Sequence, residues 1–400
     1  MILGLDGAQC GDKLKAGLLE GAIEGCVLSP RYRRLTNLKE TALSLAADYP
    51  ASVRMIDPCS YYTTFPSAGL GYYPEYPFGL SGLNRRGLRD LDISEYASQC
   101  LDFQAELDVS TLIGPGIPLE TFEDFRSELS LRAFAAASEI QQSEARLRHL
   151  PLLHSLSFRE SALSSFQATS DYLDLLTQIP GDGFYVTVSR DVEMDSQWGD
   201  PTRAGRLSNL LYLAYTLELN GFRVVYSYSD IVGLLVFAAG GADIVAGWFG
   251  TTRQLYCGAI GRSGGGGGQP RPLYASRPLL SWLLLTTDVA ALQAVGMADS
   301  VVDSVGYDDR VRAEGAGTEW RRRTETLHFW HVLTALVREI AASSSVEERV
   351  AYLGSLIGRA ISTAATIDRS RVRIEKRPYQ LAAWSQALQT FRAAIAEEEA

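Results

Sequence analysis

The chain predicts an α/β fold, a (β/α)8 TIM barrel with a C-terminal helical extension, and three observations carry that prediction. Short β-rich runs occur eight times between residues 2 and 249. Helical stretches separate them, the crossovers that successive parallel strands require. At 400 residues the chain can hold such a barrel, roughly 250 residues long, and leave a remainder for an appendage.

The first strand is ILGLDG (2–7), followed by the helical KLKAGLLEGAIE; the second is CVLSP (26–30), followed by NLKETALSLAADY; the third is VRMIDP (53–58). An insertion at 59–92, rich in tyrosine, proline and glycine, is too aromatic for a flexible linker and too broken for a helix. It reads as an ordered loop. SEYASQCLDFQAEL leads to strand four, VSTLIGPG (109–116), and a long helix from about Phe122 leads to strand five, LPLLHSLSF (150–158). Strand six is GFYVTVSRD (183–191), strand seven FRVVYSYSD (222–230) after a helix stopped by Gly221, and strand eight ADIVAGWF (242–249) after IVGLLVFAA. The eighth barrel helix is expected near Leu279–Val295, which closes a barrel over 1–295 with a Gly-rich loop at 261–271. Residues 296–400 then form the helical extension, because RTETLHFWHVLTALVREIAAS and the two stretches after it place apolar residues at three- and four-residue intervals.

Composition excludes several classes of function. Apolar residues make up 46% and charged residues 21%, as in an ordinary globular protein. The net charge of −10 gives no overall basic field toward nucleic acid or anionic lipid, so any polyanion site must be local. Five scattered cysteines form no zinc-spaced cluster and no disulfide framework, and four histidines supply no multi-histidine metal centre. The polar N-terminus is unlike a signal peptide, and no uninterrupted apolar run reaches membrane-spanning length. A cytoplasmic protein without a membrane partner is expected.

In this fold the strand C-termini carry the active site. Here they read Asp6-Gly7, Ser29-Pro30-Arg31, Asp57-Pro58, Gly114-Pro115-Gly116, Ser157-Phe158-Arg159, Ser189-Arg190-Asp191, Tyr228-Ser229-Asp230 and Trp248-Phe249-Gly250. Asp57, Asp191 and Asp230 are the candidate catalytic residues. Asp230 directly precedes a helix and equally suits a capping role; Asp57 and Asp191 precede irregular loops. Alternation turns Tyr185, Thr187, Ser189 and Asp191 to one side of strand six, toward the barrel interior. No lysine ends a strand, which leaves Schiff-base chemistry without a candidate. Paired carboxylates at neighbouring rims suit glycosidic bond transfer or hydrolysis.

After strand eight, Gly250, Thr251, Thr252 and Arg253 form the candidate phosphate site, with backbone N–H groups and a guanidinium as donors. Arg190, Trp248, Tyr228 and Arg31 complete the substrate-binding set. The run Gly264–Gly268 lacks the ending of a phosphate loop and reads as a mobile lid or spacer.

Through these strand-end aspartates and the glycine-rich segment after the late strands, the chain resembles tRNA-guanine transglycosylase-like barrels. The resemblance implies that one aspartate, Asp191 or Asp230, attacks a ribose anomeric carbon while Asp57 handles protons. The zinc-binding cysteines of that family are missing here, and the acidic charge does not suit tRNA. The expected partner is a phosphate-bearing nucleoside or sugar, or a nucleic-acid end, and no cofactor is required. Two other readings stay open. One is a non-catalytic barrel that binds a protein partner through its C-terminal helices. The other is a phosphosugar isomerase or lyase that uses carboxylate-bound Mg2+.

Overall fold

The computed structural model describes residues 1–8, 10–191, 203–248, 250–256, 258, 271–303, 305–314 and 320–398. The expected lid Gly264–Gly268 lies outside them.

In chain order the elements are β1 (Ile2–Leu5), α1 (Lys13–Leu19), β2 (Gly25–Leu28), α2 (Leu35–Asp48), β3 (Val53–Ile56), α3 (Arg85–Arg89), α4 (Ile93–Ala105), β4 (Leu112–Gly114), α5 (Phe125–Ser143), β5 (Leu152–Arg159), α6 (Phe166–Leu176), β6 (Gly183–Ser189), α7 (Ala204–Leu219), β7 (Arg223–Ser229), α8 (Gly233–Gly240) and β8 (Asp243–Ala246). Then follow α9 (Gly250–Arg253), β9 (Leu273–Ser276), β10 (Ser281–Leu284), α10 (Ala290–Ala294), α11 (Asp308–Glu314), α12 (Arg322–Ala341), α13 (Val346–Arg369) and α14 (Gln380–Glu398).

The eight strands pair in the order β3-β2-β1-β8-β7-β6-β5-β4, and every pairing is parallel. Only the β3–β4 seam lacks a ladder. There Arg54 bridges the gap, accepting from the Ser110 amide at 2.9 Å and donating its own amide to Ser110 Oγ at 2.8 Å. The fold is a TIM barrel. Its strands lie almost wholly buried, as a parallel sheet covered on both faces requires. Side chains start several of the helices: Asp92, Asp124 and Ser165 each accept a first-turn backbone N–H.

Within the span expected for the eighth barrel helix, residues 285–294 are helical, but they do not close the ring. Leu273–Ser276 and Ser281–Leu284 pair as an antiparallel hairpin, with Leu280 in the left-handed region at φ 47°. An apolar run such as LLSWLLL fits a buried strand as well as a buried helix, and Pro278 between the two segments interrupts helix propagation. The helix that closes the ring is α12, which packs against α1, α8 and β1. Its Trp330 is fully buried and donates to the Ala246 carbonyl at 3.1 Å. Gly17 and Gly4 make room for the indole: a Cβ on Gly17 would lie 2.9 Å from it and one on Gly4 3.3 Å. A chain segment of about 75 residues therefore separates β8 from its helix.

Beyond α12, α13 and α14 pack on each other and on α8 and α7. Among the described residues α13 is the one helix apolar and long enough to cross a membrane, with a mean hydropathy of 1.3. Its Val350, Leu353, Ile357 and Ala360 join the main core.

Candidate active site at the strand C-termini

A cleft of about 160 Å3 opens at the C-terminal ends of β5 and β6. Strand β5 contributes Ser157, Phe158 and Arg159, and β6 with its following turn contributes Thr187, Ser189, Arg190 and Asp191. The loop after β3 supplies Tyr61, Thr64 and Phe65, and the loop after β4 supplies Leu119 and Glu120. The last wall comes from the segment after α9. Leu255 forms a parallel bridge with Ser189 and accepts from the Arg190 amide at 2.8 Å. That crossing passes the end of β7 and sets Leu255 and Tyr256 against the cleft.

The charges in the cleft are fixed in pairs. Arg159 meets Glu120 at 2.5 Å and Arg190 meets Glu160 at 3.4 Å. Asp191 accepts from Arg206 at 2.5 Å and from Ser161 Oγ at 3.1 Å, which orients its carboxylate from outside the cleft. On the cleft floor the Thr187 hydroxyl is buried and has no hydrogen-bond partner among the described residues. Such a group costs stability until something fills it.

Below the floor lies a polar network, unusual in a barrel interior normally packed with branched aliphatics. Asp57 is fully buried and accepts from the Cys59 amide at 2.8 Å and from Tyr61 Oη at 2.7 Å. Tyr61 Oη also bonds Tyr228 Oη at 2.7 Å, and Tyr185 Oη bonds Ser227 Oγ at 2.6 Å beside them. Burial pushes the Asp57 carboxyl up to about 6, although hydrogen bonds from Tyr61, Cys59 and Tyr185 work against the rise. Cys59 and Tyr228, which flank Tyr61, both hold φ at 52°, a left-handed conformation costly for non-glycine residues. The β7–β8 ladder shifts register between Tyr226 and Ser229, the bulge that turns Tyr228 inward.

The other expected site residues lie outside this cleft. Asp230 accepts from Trp282 Nε1 and from the Ile231 amide, both at 2.8 Å, so it holds β10 and the turn before α8, whose N-cap is Val232 without a side-chain bond. Burial raises its carboxyl, and Arg253 at 3.8 Å opposes the rise. Arg253 lies over the Trp282 ring at 4.0 Å and is 5% exposed, and its Nε and Nη1 make no hydrogen bond among the described residues. Gly250 and Thr251 open α9, while Thr252 packs close to Gly247 and Gly7. The Trp248 ring lies under Lys13 Nζ at 4.3 Å. Arg31 donates to Tyr62 Oη and lies 5.0 Å from that ring. The remaining strand-end acid, Asp6, is gripped by Arg33 at 2.5 and 3.0 Å. His154 is a core residue, bonded to the Pro180 carbonyl at 2.8 Å, and burial lowers its pKa to about 4.

The structure thus joins Arg190 and Asp191 in the cleft, links Asp57 to Tyr228 through Tyr61, and ties Asp230 to Arg253 through Trp282. Reading strand ends one by one reaches Arg159 but gives no reason to single out Tyr61, Thr187 or Glu120. The polar alternation of β6 is the signal that points to Thr187. Among the described residues no group of three His, Cys, Asp or Glu side chains is placed to hold a metal ion. No model of a known protein family matches the chain, and no curated protein matches its sequence.

Proposed function

We propose that this barrel is an enzyme that breaks or exchanges a glycosidic bond in a phosphate-bearing nucleoside or sugar, with the cleft over β5 and β6 as its reaction centre. The observation that carries the reading is the convergence, in one cleft, of Asp191, two arginines and an unpartnered buried hydroxyl above a buried carboxyl. Arg159 and Arg190 supply the fork geometry that suits phosphate. Asp191, oriented by Arg206 and Ser161, stands where a carboxylate can meet an anomeric carbon. Asp57, with its raised pKa, is the group suited to carry a proton near neutral pH. The strand-end aspartates are the feature shared with transglycosylase-like barrels.

The test uses 4-nitrophenyl β-D-ribofuranoside 5-phosphate, whose cleavage releases a coloured phenolate. Asp191→Asn should lower this rate by ~10²–10⁴-fold, and Asp57→Asn should lower cleavage of phenyl β-D-ribofuranoside 5-phosphate, whose poor leaving group needs an acid, by the same factor, each with the fold intact by circular dichroism. Full rates in both folded variants would discard the reading.

A further inference from the structure

Asp57 is fully buried, whereas Tyr61, which donates to it at 2.7 Å, lines the cleft. Any proton that Asp57 supplies must therefore cross the Tyr61 hydroxyl. We propose that Tyr61 is the catalytic acid–base residue of this site, with Asp57 as its proton store, Tyr228 as the residue that positions it, and Thr187 as the second hydroxyl gripping the reacting ligand. This rests on the glycosidic reading for the identity of the bond, but on geometry alone for the path of the proton.

Hydrogen-bond direction sets where the Tyr61 proton goes. A phenol has one proton to donate and can accept at the same oxygen. When Asp57 is ionised, Tyr61 spends its proton on Asp57 Oδ2. When Asp57 is protonated, the carboxyl can donate instead, and the Tyr61 proton is released toward the cleft. Tyr228 holds the Tyr61 oxygen at 2.7 Å through either state, and the two rings meet edge to face at 5.6 Å. The titratable side chains facing Asp57 are Cys59 and Tyr61 from the loop after β3, Tyr185 of β6, Tyr228 of β7 and, farther off, Cys100 of α4. None of these is basic, so no opposite charge works against the rise that burial causes. The strained backbone at Cys59 and Tyr228 brackets the same hydroxyl, where strain that persists reads as function.

The step balances. The glycosidic bond breaks with its electron pair going to the leaving atom, which takes the Tyr61 proton, while Tyr61 takes the carboxyl proton of Asp57. Water, or an acceptor hydroxyl, then forms the new bond to the anomeric carbon, and its proton returns through Tyr61 to Asp57. Thr187, otherwise unpartnered among the described residues, donates to the departing or arriving oxygen.

Two ribosides separate this role from a structural one. Phenyl β-D-ribofuranoside 5-phosphate needs an acid to expel its poor leaving group, and the 4-nitrophenyl analogue does not. Tyr61→Phe should slow the phenyl substrate by ~10²–10⁴-fold and the 4-nitrophenyl substrate by about tenfold or less. It should also abolish the fall in rate as pH rises through about 6. Equal losses on both substrates, or an unchanged pH profile, would overturn the proposal and leave the glycosidic reading standing. If the wild-type protein cleaves neither riboside, the glycosidic reading fails, and 13C NMR of [13Cζ]tyrosine-labelled protein decides the proposal. The Tyr61 resonance, assigned with Tyr61→Phe or, should that variant not fold, with Tyr228→Phe, should titrate near pH 6 and shift on addition of ribose 5-phosphate. Failure of either response overturns the proposal.

Discussion

The two sides of the barrel mouth carry similar residues and put them to different uses. On the β7–β8 side, Asp230 and Arg253 are closed in by Trp282 of the hairpin, and Trp248 lies beneath Lys13. On the β5–β6 side, Arg190 and Asp191 are braced from behind by Glu160 and Arg206, and they still line an open cleft. The long segment between β8 and α12 makes the difference among the described residues, because its hairpin covers the β7–β8 half of the rim, while its Leu255 and Tyr256 form one wall of the β5–β6 cleft. The strand-end aspartates therefore differ in access: Asp230 is closed in by the hairpin, and Asp191 lines the cleft.

This contrast can be broken most forcibly at the anchor of the covered side. Trp330 is fully buried against β1, α1 and β8, and Trp330→Ala should cost about 4–5 kcal/mol in denaturant unfolding. A loss below about 1 kcal/mol would mean that α12 is not the helix closing the ring. Next, Arg253→Ala strips a buried cation from Asp230 and an indole face, and it should cost about 3–4 kcal/mol of stability. Its affinity for ribose 5-phosphate should stay the same by calorimetry; lost affinity with unchanged stability would return the anion site to α9.

On the open side the expected effects concern pH. Burial raises Asp57 from 3.8 to about 6, so the folded state holds this proton more tightly than the unfolded chain does. The stabilisation is complete below about pH 4 and is lost as the pH rises through 6, a change of about 3 kcal/mol at roughly 1.4 per pKa unit. Unfolding of wild type and Asp57→Asn at pH 4.5 and 7.5 should show the difference between them shrink or reverse accordingly. Parallel stabilities at both pH values would mean that Asp57 keeps an ordinary pKa. The smallest effect is a gain. Thr187→Val removes a buried hydroxyl without a partner among the described residues and should stabilise the free protein by about 1 kcal/mol. A loss of stability would mean that the hydroxyl is already satisfied.

Most of the barrel was legible because parallel strands buried on both faces read as short apolar runs, and eight such runs alternate with helices. What periodicity could not distinguish was Ser281–Leu284 as a strand from the same residues as a helix turn, since a short buried run carries no period of its own. Nor could local sequence show that the helix completing the ring lies some 75 residues past β8. The candidate site was legible only by half. Asp57, Arg190, Asp191 and Tyr228 follow from their places at strand ends. Tyr61 sits in a loop whose other tyrosines, such as Tyr62 and Tyr73, are simply buried, and only the bond to Asp57 sets it apart. Arg253 appears free in sequence because its neighbour Trp282 is 29 residues away.

The proposed ligand site is the cleft over β5 and β6 rather than the covered rim beside β8. Calorimetric titration of ribose 5-phosphate into wild type, Thr187→Val and Arg253→Lys tests it most directly. Thr187→Val should weaken binding by about three- to tenfold, the worth of a hydrogen bond to the anomeric hydroxyl, while Arg253→Lys should stay within about twofold of wild type. The reverse order, with Arg253→Lys crippled and Thr187→Val unchanged, would contradict the account.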